Sequence, residues 1–481
     1  MAEGYRRELG PFSATMLIAG SMIGSGIFIV SADIVRLGHS GTFLMAAWGF
    51  AAMLTILGAL SYGELAGMLP QAGGPYIYLR EAYGPPVGFL FGWTAFTVVE
   101  CGGIAAVSAG FGKYLGTFLP WVSDGRWLVG PLHLPAFTVG AVTVGPYEFG
   151  LTSARLSAIG IILLLSAANV LGVRLGARIQ NVFTVAKVGA LLGLIALGFW
   201  LSPASPPSGT YLPPISAPVL PVFAALMVAQ VGAMFSADGW YYVTYLAAEV
   251  KEPRRTLPYA LLFGTGSILV LYLLANLVYL RVLGPAGIAN ATEDRVGSMA
   301  LRALLGPTGE RVMALAILVS MFGFVNGTVM TAARLYQAMA GHGLFLRRAA
   351  SLNARGVPAF SLAVQALWSC VLTLSGSFDQ LLDFVLFATL IFYALAVAGV
   401  IVLRWKRPDL ARPYRVPLYP FVPLAYLLGV LAILGALLVY RPAYTWPGLV
   451  IVLLGIPVYL IHRRNRKDAS GPELPVGDDQ G

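Results

Sequence analysis

Gly20-Ser21-Met22-Ile23-Gly24-Ser25-Gly26-Ile27-Phe28 lies inside an apolar run from Pro11 to about Val35. The run is long enough to cross a bilayer, which takes ~20 residues of helix. Glycine costs about 1 kcal/mol in a helix interior relative to alanine, and serine hydroxyls compete for backbone groups. Three glycines and two serines at its centre therefore predict two half-helices with an unwound joint. Lipid does not tolerate open backbone, so the joint must line a protein-walled cavity. The half-helix starting near Ser25 would aim free N–H groups and a positive dipole end into it, which suits a carboxylate. The half-helix ending near Ile23 would leave free carbonyls, which suit an ammonium group. Taken alone, the stretch also fits an unbroken span whose small residues allow close helix packing.

The whole chain of 481 residues is 58% hydrophobic and 11% charged, against roughly 25% charged in soluble domains. It reads as an all-α polytopic membrane protein. Cys101 and Cys370 both sit in apolar runs, so no disulfide framework is expected. The four histidines support no metal site, and no cofactor is implied. The first apolar run is too long and too rich in Gly and Ser for a cleavable signal.

Apolar segments of spanning length fall at about 11–35, 42–68, 86–119, 156–173, 180–201, 219–247, 259–282, 312–339, 359–377, 380–404, 418–440 and 446–462. These predict twelve transmembrane helices. With the N-terminus inside, the inner connections hold 21 of the 31 Lys and Arg residues, the outer ends 9, and Lys187 lies within a span. That bias follows the positive-inside rule and places both termini in the cytoplasm, with the chain in the cell (inner) membrane. It also accounts for the net charge of +10 without nucleic acid, since the charge is dispersed among loops.

The sixth segment repeats the anomaly of the first, in Ala233-Met234-Phe235-Ser236-Ala237-Asp238-Gly239-Trp240-Tyr241. Two joints five spans apart predict an inverted repeat, about 11–201 and 219–404, with extra helices over 418–462. Paired interruptions of this kind point to the substrate site of a secondary transporter. Residues 1–462 form a single domain in this reading, and the charged, Pro/Gly-rich 463–481 a disordered tail. After span 2, Pro70–Gly74 breaks helix, and Tyr76–Tyr83 suits a short helix in the cytoplasmic interface.

GSMIGSGIF, GELAGMLPQAGGPYIYLREAYG, FSADGWYYVTYLAAEVKEPRRTLP and MFGFVNGTVMTAARLYQAMAGHG together resemble the amino acid–polyamine–organocation superfamily. The resemblance covers about residues 10–462 and is strongest to the bacterial members of the L-type amino acid transporter branch. It implies a LeuT-like fold, a 5+5 inverted repeat with broken helices 1 and 6 plus two added helices, and alternating access.

Carried onto this sequence, the resemblance implies that Ser25, Gly26 and Ile27, beside Gly24, offer N–H groups to a substrate carboxylate. Met22, Ile23, Phe235 and Ser236 would offer carbonyls to its ammonium. Phe235 would cap the substrate from outside, and Ala237, Gly239, Trp240 and Asn326 would border the site. Ala237 is smaller than the tyrosine often found there, which leaves side-chain selectivity open. A helix–helix hydrogen bond is the other reading of Asn326.

Charge at depth is expensive unless paired or near water. Lys187 lies ~10 Å along its helix, so its side chain either snorkels to the cytoplasmic interface or finds a partner inside. The resemblance implies the latter: its ammonium replaces a sodium ion, bridging carbonyls of the first joint to span 8 near Ser320–Gly323. Glu100, also within a span, is a departure from the animal members. It would bind a cationic substrate, carry a proton, or make a structural hydrogen bond. Asp238 reads as the N-cap of the second half-helix.

The resulting expectation is a sodium-independent exchanger of neutral L-amino acids. The alternatives are a proton-coupled or cationic amino acid permease using Glu100, and an amino acid sensor that does not translocate. No nucleophile–base pair or metal-ligand cluster supports an enzyme. The outer connection 120–155 has no cysteine, so no disulfide-linked accessory subunit is expected.

Overall fold

The computed structural model describes residues 5–135, 137–139, 142–144, 147–202, 219–375 and 378–469. The first apolar run is broken as its glycines and serines require. Helix α1 (Pro11–Met22) ends at Ile23, whose φ −74° and ψ 88° are not helical. After Gly24 and Ser25 the chain re-enters helix as α2 (Gly26–Ile29) and α3 (Ser31–Gly38).

Helix α4 (Gly41–Met68) leads to a short α5 (Pro75–Tyr83). The short helix expected there is present, and it packs into the chain: Tyr76, Ile77, Tyr78 and Leu79 are all buried, and Gly73 N–H donates to Tyr245 O just before it. The third span runs from α6 (Pro85–Thr94) through a π-turn at Ala95–Val99 into α7 (Glu100–Leu115). Next come α8 (Ser153–Val170) and α9 (Val173–Leu201).

Helix α10 (Val219–Ser236) stops at the second anomaly, and the chain resumes as a 3-10 helix over Tyr242–Glu249. Helix α11 (Pro253–Ala289) bends at Gly284, and α12 (Val296–Gly341) bends at Gly306. Both bends fall at Gly-Pro pairs, where the proline breaks the ladder. Four further helices follow, α13 (Ala359–Leu374), α14 (Phe378–Lys406), α15 (Phe421–Tyr440) and α16 (Pro442–Ala469).

Nine helices among the described residues are long and apolar enough to cross a membrane. Two shorter apolar helices, Pro221–Ser236 and Ala359–Leu374, and the broken first run fill the remaining positions of the sequence pattern. The chain is therefore a helical, multi-pass membrane protein.

Beside the helices, which make up the membrane-spanning part as expected, antiparallel strands Trp127–Leu134 and Tyr147–Thr152 pair, as do Phe137–Val139 and Val142–Val144. Arg334 is fully buried in α12, where Glu249 neutralises it at 2.7 Å. Residues 463–469 of the expected tail continue α16, and 470–481 lie outside the described residues.

Candidate functional site

The two joints lie against each other. A Cβ on Gly26 would come within 2.2 Å of Ser236 Oγ, and one on Gly239 within 2.9 Å of Ser21 O. Gly239 also has φ +84°, a conformation that strongly favours glycine. The structure thus brings Met22 to Ile27 together with Ser236 and Gly239. Among the described residues, the N–H groups of Ser25, Gly26 and Ile27 donate to no other atom of the chain. These are the orphan donors of a helix start.

The carbonyls differ from expectation, for they are not free. Tyr272 on α11 donates its hydroxyl to Met22 O at 2.7 Å and reaches Ser236 O at 3.2 Å. Asp238 N–H donates to Phe235 O at 3.2 Å. Ser320 Oγ donates to Ile23 O at 2.9 Å and to Gly24 O at 3.1 Å. Unsatisfied carbonyls inside a membrane protein are costly, so neighbouring helices supply donors. Met22 O accepts from Gly24 N–H as well, at 2.8 Å, so both its lone pairs are used, whereas Phe235 O and Ser236 O each keep a second one.

Lys187 does not snorkel. Its side chain is buried, and Nζ donates to Gly20 O at 2.6 Å and Ile23 O at 2.9 Å. A Cβ on Gly323 of α12 would meet Lys187 Cε at 2.7 Å, so the ammonium sits between the first joint and α12.

A cavity of about 630 Å³ descends towards the joints from the face that carries the strands. Asp33, Arg36 and Asp294 stand on its wall, and Phe235 lines it together with Ile29, Val30 and Gly232. Ser25 to Ile27 precede Ile29 in the chain and lie just behind this lining. On the opposite face Leu9 bridges Val250, and Glu8 N–H donates to Glu249 O at 2.9 Å. The Glu249–Arg334 pair anchors that closure.

The other expected site residues are held by contacts within the protein. Trp240 is buried edge-on against Tyr62, Tyr241 and Tyr393, with its ring towards Gly58 of α4. Ala237 is buried beside it. Asn326 makes helix–helix bonds: Oδ1 accepts from Asn169 at 3.0 Å, and Nδ2 donates to Gln180 at 2.9 Å and to Gly176 O at 3.1 Å. Asp238 is no N-cap, since the 3-10 helix starts at Tyr242 without a side-chain cap. It accepts instead from the Tyr393 hydroxyl of α14.

Glu100 is buried away from the cavity. Its Oε1 accepts from Tyr245 at 2.9 Å and from Tyr241 at 3.3 Å, fastening the third span to the chain beyond the second joint. We expect Glu100→Ala to lower the melting temperature markedly, because stranding buried hydroxyls costs about 1–3 kcal/mol each. Glu100→Gln keeps an acceptor oxygen, so its melting temperature should fall less and the pH profile of uptake should not change. A flattened pH profile in Glu100→Gln would assign Glu100 a proton-carrying role instead.

Tyr272 carries no sequence signal, lying in the leucine-rich Leu269–Leu274. Its role needs α11 to pass both joints.

Two broken spans thus lie against each other, and a buried ammonium ties the first of them to α12. The sequence profile of a family described as "Amino acid permease" matches residues 9–466. The chain belongs to the amino acid permease family. Among relatives of this permease is the "Large neutral amino acids transporter small subunit 2" of Mus musculus. It is 30% identical over 468 residues, 95% of this chain and 81% of that one. The "Serine/threonine exchanger SteT" of Bacillus subtilis (strain 168) is 27% identical over 460 residues, 95% of this permease and 97% of its own length. The "b(0,+)-type amino acid transporter 1" of Mus musculus is 29% identical over 468 residues, covering 95% and 88%.

Proposed function

We propose that this permease exchanges neutral L-amino acids across the cell membrane without sodium. The observation that carries the proposal is the trio of unpartnered N–H groups at Ser25–Ile27, facing a second broken helix. They would take the substrate carboxylate. The second lone pairs on the carbonyls of Phe235 and Ser236 would take the ammonium, since Met22 O and Ile23 O each already accept twice. Backbone recognition of this kind reads what all amino acids share and leaves the side chain to the surrounding helices. The names of the mouse and bacterial relatives support neutral substrates and exchange. Glu100 Oε1 accepts from two tyrosines and Glu100 does not line the cavity, which favours the structural reading of this residue over a cationic or proton-coupled carrier.

Phe235, on the cavity wall, would close over the substrate. Twelve spans in two inverted halves, with both termini cytoplasmic, would place the cavity outside and the Leu9–Val250 closure inside. The cycle then alternates between these two faces. Both cysteines lie in helices, Cys101 fully buried, which supports work without a disulfide-linked subunit.

Competition in proteoliposomes tests the carboxylate assignment. An amino acid amide, or the decarboxylated amine, should inhibit exchange far more weakly than the parent acid. If the amide inhibits as well as the acid, Ser25–Ile27 do not bind a carboxylate.

A further inference from the structure

At the opposite end from the outer cavity, where the chain turns from α8 into α9, a second cavity of about 380 Å³ opens. Arg6, Arg174, Arg178 and Arg355 line it with a single carboxylate, Glu8. We propose that this cavity binds a phosphate-bearing anion, held by guanidinium groups from three separate segments of the chain.

Glu8 neutralises one arginine, Arg174, at 3.0 Å. Arg355 donates to a neutral carbonyl, Leu171 O, at 3.1 Å. Arg178 has no partner among the described residues. Like charges gathered around one concavity repel, and an anion there relieves that repulsion. Guanidinium groups match phosphate oxygens with paired N–H donors. Helix α9 starts at the same place without a side-chain cap, adding its positive end.

The surroundings favour a phospholipid as the bearer of the phosphate. Arg174 and Arg178 are one turn apart on α9, and that face continues into Val182 and Val185, 67% and 57% exposed. Leu171 and Leu175, at the cavity itself, are also exposed. Acyl chains would lie along this strip with the headgroup in the cavity. Basic pockets beside spans on the cytoplasmic side are sites for anionic headgroups. That the cavity meets the inner leaflet rests on the orientation proposed above; binding of the anion does not.

A bound anion would tie the N-terminal arm (Arg6) to α9 (Arg174, Arg178) and to the connection before α13 (Arg355). The arm also carries Leu9, which bridges Val250. Occupancy should therefore stabilise the closure on that face.

The test uses the full chain in neutral detergent, with melting temperature followed as phosphatidylglycerol, phosphatidylcholine or inorganic phosphate is added. Phosphatidylglycerol should raise the melting temperature saturably, and phosphatidylcholine should not. The Arg174→Gln/Arg178→Gln double variant should need about 30-fold more phosphatidylglycerol for half the effect, from ~1 kcal/mol per basic residue near an anionic lipid. Arg178→Gln alone breaks no hydrogen bond or ion pair among the described residues, so it should fold normally and still weaken the response about fivefold. A rise with inorganic phosphate equal to that with phosphatidylglycerol, abolished in the double variant, would keep the anion site and overturn the lipid as its ligand. Equal responses of wild type and both variants, or no response to any phosphate compound, would overturn the proposal and leave amino acid exchange untouched.

Discussion

Lys187→Ala should exchange amino acids at least about tenfold more slowly than wild type while reaching the membrane in normal amounts. Hydrogen bonds to charged groups contribute ~1.5–3 kcal/mol each, and each 1.36 kcal/mol is about tenfold in rate. The ammonium donates to Gly20 O and Ile23 O, and Ser320 also donates to Ile23 O. Removing Lys187 leaves Gly20 O without its close donor and loosens the first joint from α12. The balance between the two faces of the cycle then shifts, which lowers turnover. Insertion should survive, because deleting a buried charge does not oppose partitioning into lipid. Exchange kinetics against surface-labelled protein separate the two effects. A variant running at the wild-type rate would show that the lysine has no part in the cycle.

Gly26→Val should abolish exchange. A Cβ at Gly26 would lie 2.2 Å from Ser236 Oγ and 2.9 Å from Ser236 Cα. Backbone atoms cannot rotate aside, so the two joints must separate. Overpacking of this kind costs typically 1–3 kcal/mol, and here it falls on the donors proposed for the carboxylate. Gly49→Ala is the control, since nothing lies within 4 Å of its Cβ position. It should exchange like wild type. Normal exchange by Gly26→Val would mean that the joints need not touch during transport.

Much of this geometry is legible in the residues themselves. Gly and Ser inside an apolar run are local signals, and the first break falls between Met22 and Gly26, as read from the sequence. A single lysine in a span is equally conspicuous, and its partners follow from where free carbonyls must be. What stays hidden depends on which helices meet. Tyr272 looks like any tyrosine in a leucine-rich helix until α11 crosses both joints. Trp240 joins a tyrosine cluster drawn from α4 and α14, and Asn326, for which the sequence left two readings, bonds to α8 and α9. The short helix over Tyr76–Tyr83 follows from its flanking prolines and glycines, but the partners that bury Tyr76–Leu79 do not. Asp238 follows the cap rule locally, and Tyr393 overrides it from α14.

The central claim is that Lys187 occupies the place where a coupling ion would bind. It is tested most directly by exchange of a neutral amino acid in proteoliposomes, with sodium replaced by choline at constant pH. An ammonium already bonded to Gly20 O and Ile23 O predicts equal initial rates in the two solutions. Exchange that vanishes in choline and returns with sodium would contradict it.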